Sequence, residues 1–264
     1  MQQTLSVAII TKNEEANLPR TLASVHFADQ IVVLDSGSTD RTVEIARTAN
    51  AAVYQEPWQG FAAAKNSAIA KCTGAWVLSL DADEELTPEL QTEIGTLLRS
   101  DPPVDAYFIR RRNLFLGRWI RHGGFYPDPK LRLFRRATAR FATTLQFEER
   151  PVHETIAFDG KTATLQHDLI HHAYPTLENY LEHMDRYSTL GSQLLVGAGT
   201  VSRSWPAFVC NVVLIPKLTF LWNYLFRLGF LDGREGLLLH LYQAAYTSWK
   251  YAKAWQAART TNQL

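Results

Sequence analysis

The chain has 264 residues, enough to bury a sizeable core as one large domain or two small ones. With 46 % hydrophobic and 20 % charged residues it is neither disordered nor a polytopic membrane protein. Its 27 Lys and Arg against 26 Asp and Glu leave a net charge of +1, which argues against a uniformly basic nucleic-acid binder.

Residues 1–5 carry neither the basic start nor the long apolar run of a signal peptide, and two cysteines, Cys72 and Cys210, do not make a disulfide framework. Both features favour the cytosol. Residues 5–10 are a short apolar run bounded by polar residues, which predicts a buried strand. Helical spacing follows at 17–25, a second strand at 31–34, and a helix at 40–49 with Ser38 or Thr39 placed to cap it. Residues 51–54 read as a third strand, the Ala-rich 61–71 as helix, 76–80 as a fourth strand, and Pro88 opens a helix to about residue 99. Strands separated by helices imply a parallel sheet whose ligands collect beyond the carboxyl ends of the strands.

The middle third is different. Residues 106–109 and 131–134 read as strands or hairpins of a mixed sheet, separated by Gly, Pro and charge. From Thr176 onward the pattern is helical. Its most apolar stretch, 205–231, is interrupted by Asn211, Lys217, Asn223 and Arg227 and so falls short of the ~18 uncharged residues of a spanning helix. The expected division is therefore 1–175 as an α/β domain and 176–264 as a helical extension.

The neutral total hides segregation. Residues 106–140 hold ten Lys and Arg against Asp128 alone, a net +9, and residues 203–264 hold a net +5, so the remainder carries about −13.

The strongest chemical signal is Ser79-Leu80-Asp81-Ala82-Asp83-Glu84. Two carboxylates flank one residue at the end of a buried strand, which suits a hard divalent ion, Mg²⁺ or Mn²⁺, that also takes phosphate oxygens. The structural alternative is a solvated acidic turn leading into the next helix. Thr11-Lys12-Asn13-Glu14-Glu15 after the first strand and Asp35-Ser36-Gly37-Ser38-Thr39-Asp40 after the second add polar loops on the same sheet edge. A turn with a helix cap explains Ser38, Thr39 and Asp40 well and Asp35 less well.

These motifs, with Lys65-Asn66 and Gly74-Ala75-Trp76 leading into the acidic run, resemble a family 2 glycosyltransferase of the GT-A fold, a Rossmann-like mixed sheet flanked by helices. Tyr126-Pro127-Asp128-Pro129-Lys130-Leu131-Arg132-Leu133-Phe134, Val152-His153-Glu154 and Phe230-Leu231-Asp232-Gly233-Arg234-Glu235-Gly236 are similar to a narrower branch that includes lipopolysaccharide-core β-1,4-glucosyltransferase-like proteins.

The resemblance implies inverting transfer of a sugar from a nucleotide-sugar donor, a UDP-sugar foremost, to a glycan or lipid-linked acceptor in cell-envelope biosynthesis. By it, Thr11, Glu14 and Asp35 contact the nucleoside, and Lys65 lies near the base or diphosphate. Asp81 faces the ribose or metal, Asp83 binds the metal, and Arg132 takes a phosphate. Many relatives carry Arg where Lys65 stands, and Lys lacks the bidentate fork. Glu154 is the expected general base with Asp128 as second candidate, and His153 would orient the acceptor or a phosphate. His171 would be a third metal ligand.

His167 and His171 have the spacing of a helical zinc pair, but residues 164–172 alternate like a strand and no Cys or further His completes a structural zinc site. For the basic segment the bland reading is a solvated strand edge. The C-terminal mixture of Trp, Tyr, Phe, Leu and basic residues suits amphipathic helices on the inner face of the cytoplasmic membrane, against a packed helical subdomain or a dimer interface. No aromatic platform for RNA is present. A phosphohydrolase would need Thr or Val where Glu85 stands, and a nucleotidyltransferase a Gly-rich, Arg-containing loop after the first strand. A non-catalytic sugar-nucleotide binder is disfavoured by the intact acidic set.

Overall fold

A computed structural model describes residues 3–100, 102–136, 146–148, 155–157 and 160–261. The first strand β1 (Leu5–Thr11) is buried along its whole length. Its side chains alternate: Leu5, Val7 and Ile9 enter one apolar cluster, and Ala8 and Ile10 enter another. The sheet is thus covered on both faces, which is why its strands read as continuous apolar runs rather than alternating ones. After α1 (Leu18–Ser24) come β2 (Gln30–Asp35), α2 (Thr42–Thr48), β3 (Ala52–Gln55), α3 (Phe61–Ala70) and β4 (Trp76–Asp81). Helix α4 (Pro88–Leu97) follows a short strand β5 (Glu84–Leu86) that has no signal of its own in the sequence. Leu18, Leu22, Leu90 and Ile94 cover one face of the sheet, and Ala64 and Ala68 of α3 cover the other.

Strands β1–β4 are parallel, in the order β3-β2-β1-β4. The sheet continues through β8 (Pro129–Arg135), β6 (Ala106–Phe115) and β11 (Thr162–Tyr174) to β5, and β7 (Arg118–Trp119) pairs with β6. Strand β8 runs antiparallel to both β4 and β6, so the sheet is mixed as expected. A separate hairpin joins β9 (Gln146–Glu148) to β10 (Thr155–Ala157). Close approach of β4 to β1 depends on Gly74, where a Cβ would sit 2.7 Å from the Ser6 backbone nitrogen.

One sequence expectation changes at the start of α2. Ser38 and Thr39 do not cap the helix, because it begins later, at Thr42. Asp40 accepts from the Thr42 amide at 3.0 Å, and the Ser38 hydroxyl turns back to Asp35.

The chain forms two compact units, Met1–Arg112 with Asp128–His172, and Asn113–Pro127 with Ala173–Leu264. The loop at 113–127 thus groups with the helices. The second unit holds α5 (Leu177–Gly197), started by a Thr176 cap that accepts from the Asn179 amide. A run of α6 (Trp205–Val209), a π turn, α7 (Ile215–Leu221) and a second π turn follows, and α8 (Gly233–Thr261) ends the described chain. Its core is Phe115, Ile120, Tyr180 and Leu239. Buried Asp232 fastens the 113–127 loop by accepting from the Arg121 and His122 amides at 3.1 and 2.8 Å and meeting the His122 ring at 2.9 Å. The polar interruptions noted at Asn211, Lys217 and Asn223 do not break the helix. Trp205–Phe226 is long and apolar enough, by length and composition, to cross a membrane.

Candidate active site

In register, Thr11 pairs with Asp35 and Ile10 with Asp81, so β1, β2 and β4 end side by side. The chain runs outward from β1 to β2 and β3, then returns to β4 on the other side of β1. That is the topological switch point where open α/β sheets bind ligands.

Asp81 ends β4 about one quarter exposed, with Lys65 Nζ 3.0 Å from one oxygen and Arg132 Nη2 2.7 Å from the other. Burial alone would raise its pKa, but these two cations outweigh it and hold the carboxyl far below the usual range. Arg132 is itself buried and also donates to Glu84 at 2.6 Å, while its Nε has no hydrogen-bond partner. Glu84 is fully buried. It accepts from Arg132 and Arg111 and, through its other oxygen, from the Asp81 amide at 3.1 Å.

Asp83 lies beyond this lattice. Burial pushes its pKa up, but His171, with Nε2 3.4 Å away, more than offsets that and keeps the group below its ordinary value. The reason for the approach is the sheet: β5 pairs with β11 so that Glu84 faces His171, and the His172 amide donates to the Asp83 carbonyl at 2.9 Å. Residues 164–172 are indeed strand rather than helix, and His167 meets Glu93 at 2.9 Å instead of a metal partner. Glu14, half-buried on the first loop, is raised by burial and by the negative charges of Asp83, Asp40 and Asp81, against an opposing hydrogen bond from Asn17. The first loop and the acidic turn follow β1 and β4, which end side by side.

Thr11 is buried with its hydroxyl unpartnered, a polar atom left for a ligand at the switch point. Asp35 is buried too, but its oxygens accept from the Gly37 and Ser38 amides, the Ser38 hydroxyl and Gln55 Nε2. The turn therefore explains Asp35 better than the sequence suggested, since its own loop occupies the carboxylate.

Asp128 receives Arg111 Nη2 at 2.6 Å and Nε at 3.0 Å, with Lys130 Nζ 3.0 Å from its other oxygen. Burial opposes ionisation, but the two cations prevail and its pKa falls to about 2. A carboxylate so held is a weak proton acceptor at neutral pH. Its folded pKa lies below the unfolded value, so its stabilisation is present above about pH 4 and is lost as pH falls towards 2. Asp128→Asn is expected to lower stability by about 2 kcal/mol at pH 7, with the difference from wild type closing between about pH 4 and 2. Urea midpoints across that range would measure it. Glu154 and His153 lie outside the described residues.

Sequence reading missed Glu84, Arg111 and Asp168 as organising groups. Period-two alternation was the available signal: Arg110 and Arg112 both reach Asp168, at 3.0 and 2.8 Å, while Arg111 between them points the other way, to Glu84 and Asp128. Much of the basic segment is thus neutralised by distant acids. Of the remainder, Arg135 lies over Trp76 and Arg136 donates to the Gly74 carbonyl.

Among the described residues no group of three or more His, Cys, Asp or Glu is placed to hold a metal ion. Asp83 and His171 lie together at the end of the acidic turn, whereas both oxygens of Asp81 are already met by Lys65 and Arg132.

Together, the parallel half-sheet, the acidic pair at its switch point and the buried unpartnered hydroxyl place a candidate ligand site at the carboxyl edge of an α/β sheet. The pattern of Glycosyl transferase family 2 matches residues 6–158. The chain belongs to that family and has the GT-A fold with a helical C-terminal extension. It is 35 % identical over 205 residues to an uncharacterized glycosyltransferase of Rickettsia typhi, covering 74 % of this chain and 69 % of that one. It is 29 % identical over 259 residues to the lipopolysaccharide core biosynthesis glycosyltransferase LpsC of Rhizobium meliloti, covering 96 % and 92 %. A solved structure of S. aureus TarS 1–349 aligns with 98 % of this chain and 92 % of that one at 17 % identity and a TM-score of 0.47.

Proposed function

We propose that this glycosyltransferase moves a sugar, with inversion, from a nucleotide-sugar donor, a UDP-sugar foremost, to a glycan or lipid-linked acceptor of the lipopolysaccharide-core type. The observation that carries the reading is the convergence of Asp81, Asp83 and Glu14 beside the unpartnered Thr11 hydroxyl, and the similarity to LpsC supports the acceptor class.

In this reading residues 1–175 are the catalytic domain. Thr11 and Glu14 contact the nucleoside with Asp35 shaping the loop beneath it, and Lys65 and Arg132 fix Asp81 and face the diphosphate. Asp83, Asp81 and His171 would hold Mg²⁺ or Mn²⁺, which neutralises charge on the departing nucleoside diphosphate. The acceptor hydroxyl attacks the anomeric carbon from the face opposite the leaving group. The new C–O bond forms as the bond to the phosphate oxygen breaks, and the hydroxyl proton passes to Glu154. His153 orients the acceptor. Asp128 keeps Arg111 in place and is the weaker candidate for the base. Residues 176–264 face the acceptor and the inner face of the cytoplasmic membrane.

A thermal-shift screen of UDP-, GDP-, CMP- and dTDP-sugars with and without Mn²⁺ tests this. Binding to the folded state at about 100 Kd adds roughly 2.7 kcal/mol, so one donor is expected to raise Tm markedly and only with the metal. No shift with any donor would sink the reading.

A further inference from the structure

Helix Trp205–Phe226 is inverted relative to a helix on a water-facing surface. Only 6 % of its apolar window is buried inside the molecule. Its two asparagines bond to other parts of the chain: Asn211 Nδ2 donates to Ser202 Oγ at 2.9 Å, and Asn223, 8 % exposed, donates to Gln243 Oε1 at 3.3 Å. Its largest apolar side chains point outward, with Trp205 76 %, Leu218 63 %, Trp222 58 % and Phe226 72 % exposed. Leu218, Trp222 and Phe226 also line a shallow groove. In water such an exposed apolar row is unfavourable, whereas lipid would cover it.

Charge indicates which lipid. Residues 203–231 contain Arg203, Lys217 and Arg227, all exposed, and no acid. A basic, apolar, aromatic surface complements anionic headgroups over an acyl boundary.

The packing indicates the orientation. Pro216 cannot donate to the carbonyl four residues back, on Val212. The helix widens there into a π turn, and Ser248 Oγ of α8 donates to that carbonyl at 2.8 Å. Ser248 and Gln243 therefore fasten the helix along its length to α8, which carries Glu235, Lys250 and Lys253. A helix tied in this way does not cross a bilayer without drawing those charges into hydrocarbon.

We propose that Trp205–Phe226 is an in-plane anchor, lying along an anionic membrane with its apolar row in the acyl boundary and Lys217 and Arg227 at the headgroups. This deepens the membrane-facing reading of the C-terminal residues and rests on it.

The test uses the full chain and flotation with phosphatidylcholine vesicles, with and without phosphatidylglycerol. Wild type is expected to float with the anionic vesicles and to be released by salt. Leu218→Glu with Trp222→Glu is expected to weaken binding at least ~10-fold at unchanged Tm, because both side chains are exposed. Lys217→Gln is expected to weaken binding to anionic vesicles about fivefold and leave neutral ones unaffected. A spin label on Cys210, exposed on this helix while Cys72 is buried, is expected at headgroup depth.

Failure of wild type to float overturns the anchor, as does a label at the bilayer midplane. So does a light-scattering dimer, dissolved by Leu218→Glu with Trp222→Glu, in protein that ignores vesicles. The donor-induced Tm shift separates the two readings. Lost flotation with that shift retained refutes the anchor alone, and flotation without any donor shift supports the anchor while refuting sugar transfer.

Discussion

Asp83→Ala is expected to reduce sugar transfer at least ~10³-fold, equivalent to about 4 kcal/mol of lost transition-state stabilisation, while leaving Tm within a few degrees of wild type. The small effect on stability follows from its surroundings. Asp83 is one quarter exposed and its ion-pair partner His171 is partly exposed too, so removing the carboxylate leaves no fully buried charge unpaired. The large effect on rate follows from the proposed mechanism, in which Asp83 contributes charge where the nucleoside diphosphate departs. Transfer assayed with radiolabelled donor, beside a melting curve of the same preparation, reads both. Turnover within tenfold of wild type would remove Asp83 from the mechanism.

Glu84→Gln should do the reverse and act first on the fold. Glu84 is completely buried and faces two guanidiniums, Arg132 at 2.6 Å and Arg111 at 3.2 Å. Gln keeps the shape and removes the charge, leaving buried cations short of a counter-ion. Breaking such a pair costs about 3–5 kcal/mol, so Tm is expected to fall by roughly 10 °C or more. Activity should fall too, because Arg132 would lose one of the two carboxylates that position it against Asp81. A variant as stable as wild type would show that Arg111 and Arg132 are neutralised from elsewhere.

These opposite expectations concern adjacent residues in one motif, and the motif alone did not separate them. Asp81 and Asp83 read as a metal-binding pair, and Glu84 as a further acid on the turn with no role of its own. Their roles diverge because β5 pairs with β11, which turns Glu84 into the interior and leaves Asp83 beside His171. That pairing joins segments more than eighty residues apart, and three-residue β5 is too short to show a period of its own. The place of Thr11 at a strand end, in contrast, was legible, since a long buried strand followed by a polar loop fixes where its end lies. Ser38 and Thr39 illustrate the limit of local rules. Their composition suits a cap, yet a hydrogen bond to Asp35 won, and the helix starts later.

The sequence by itself determined the parallel half-sheet, the ends of its strands, the acidic turn and the family, because these depend on short-range periodicity and on ordered local motifs. Only the tertiary structure decided which charges meet. Five of the ten cations in the +9 segment, which could be read as a phosphate-binding surface, are folded onto Asp81, Glu84, Asp128 and Asp168. The C-terminal helix changed in the opposite sense. Two of its polar interruptions, Asn211 and Asn223, are taken up by Ser202 and Gln243, which leaves its outer face more apolar than its sequence average. In both places composition counts every charge and polar group equally, whereas folding pairs some and removes them from the surface, so the surface that remains depends on long-range contacts.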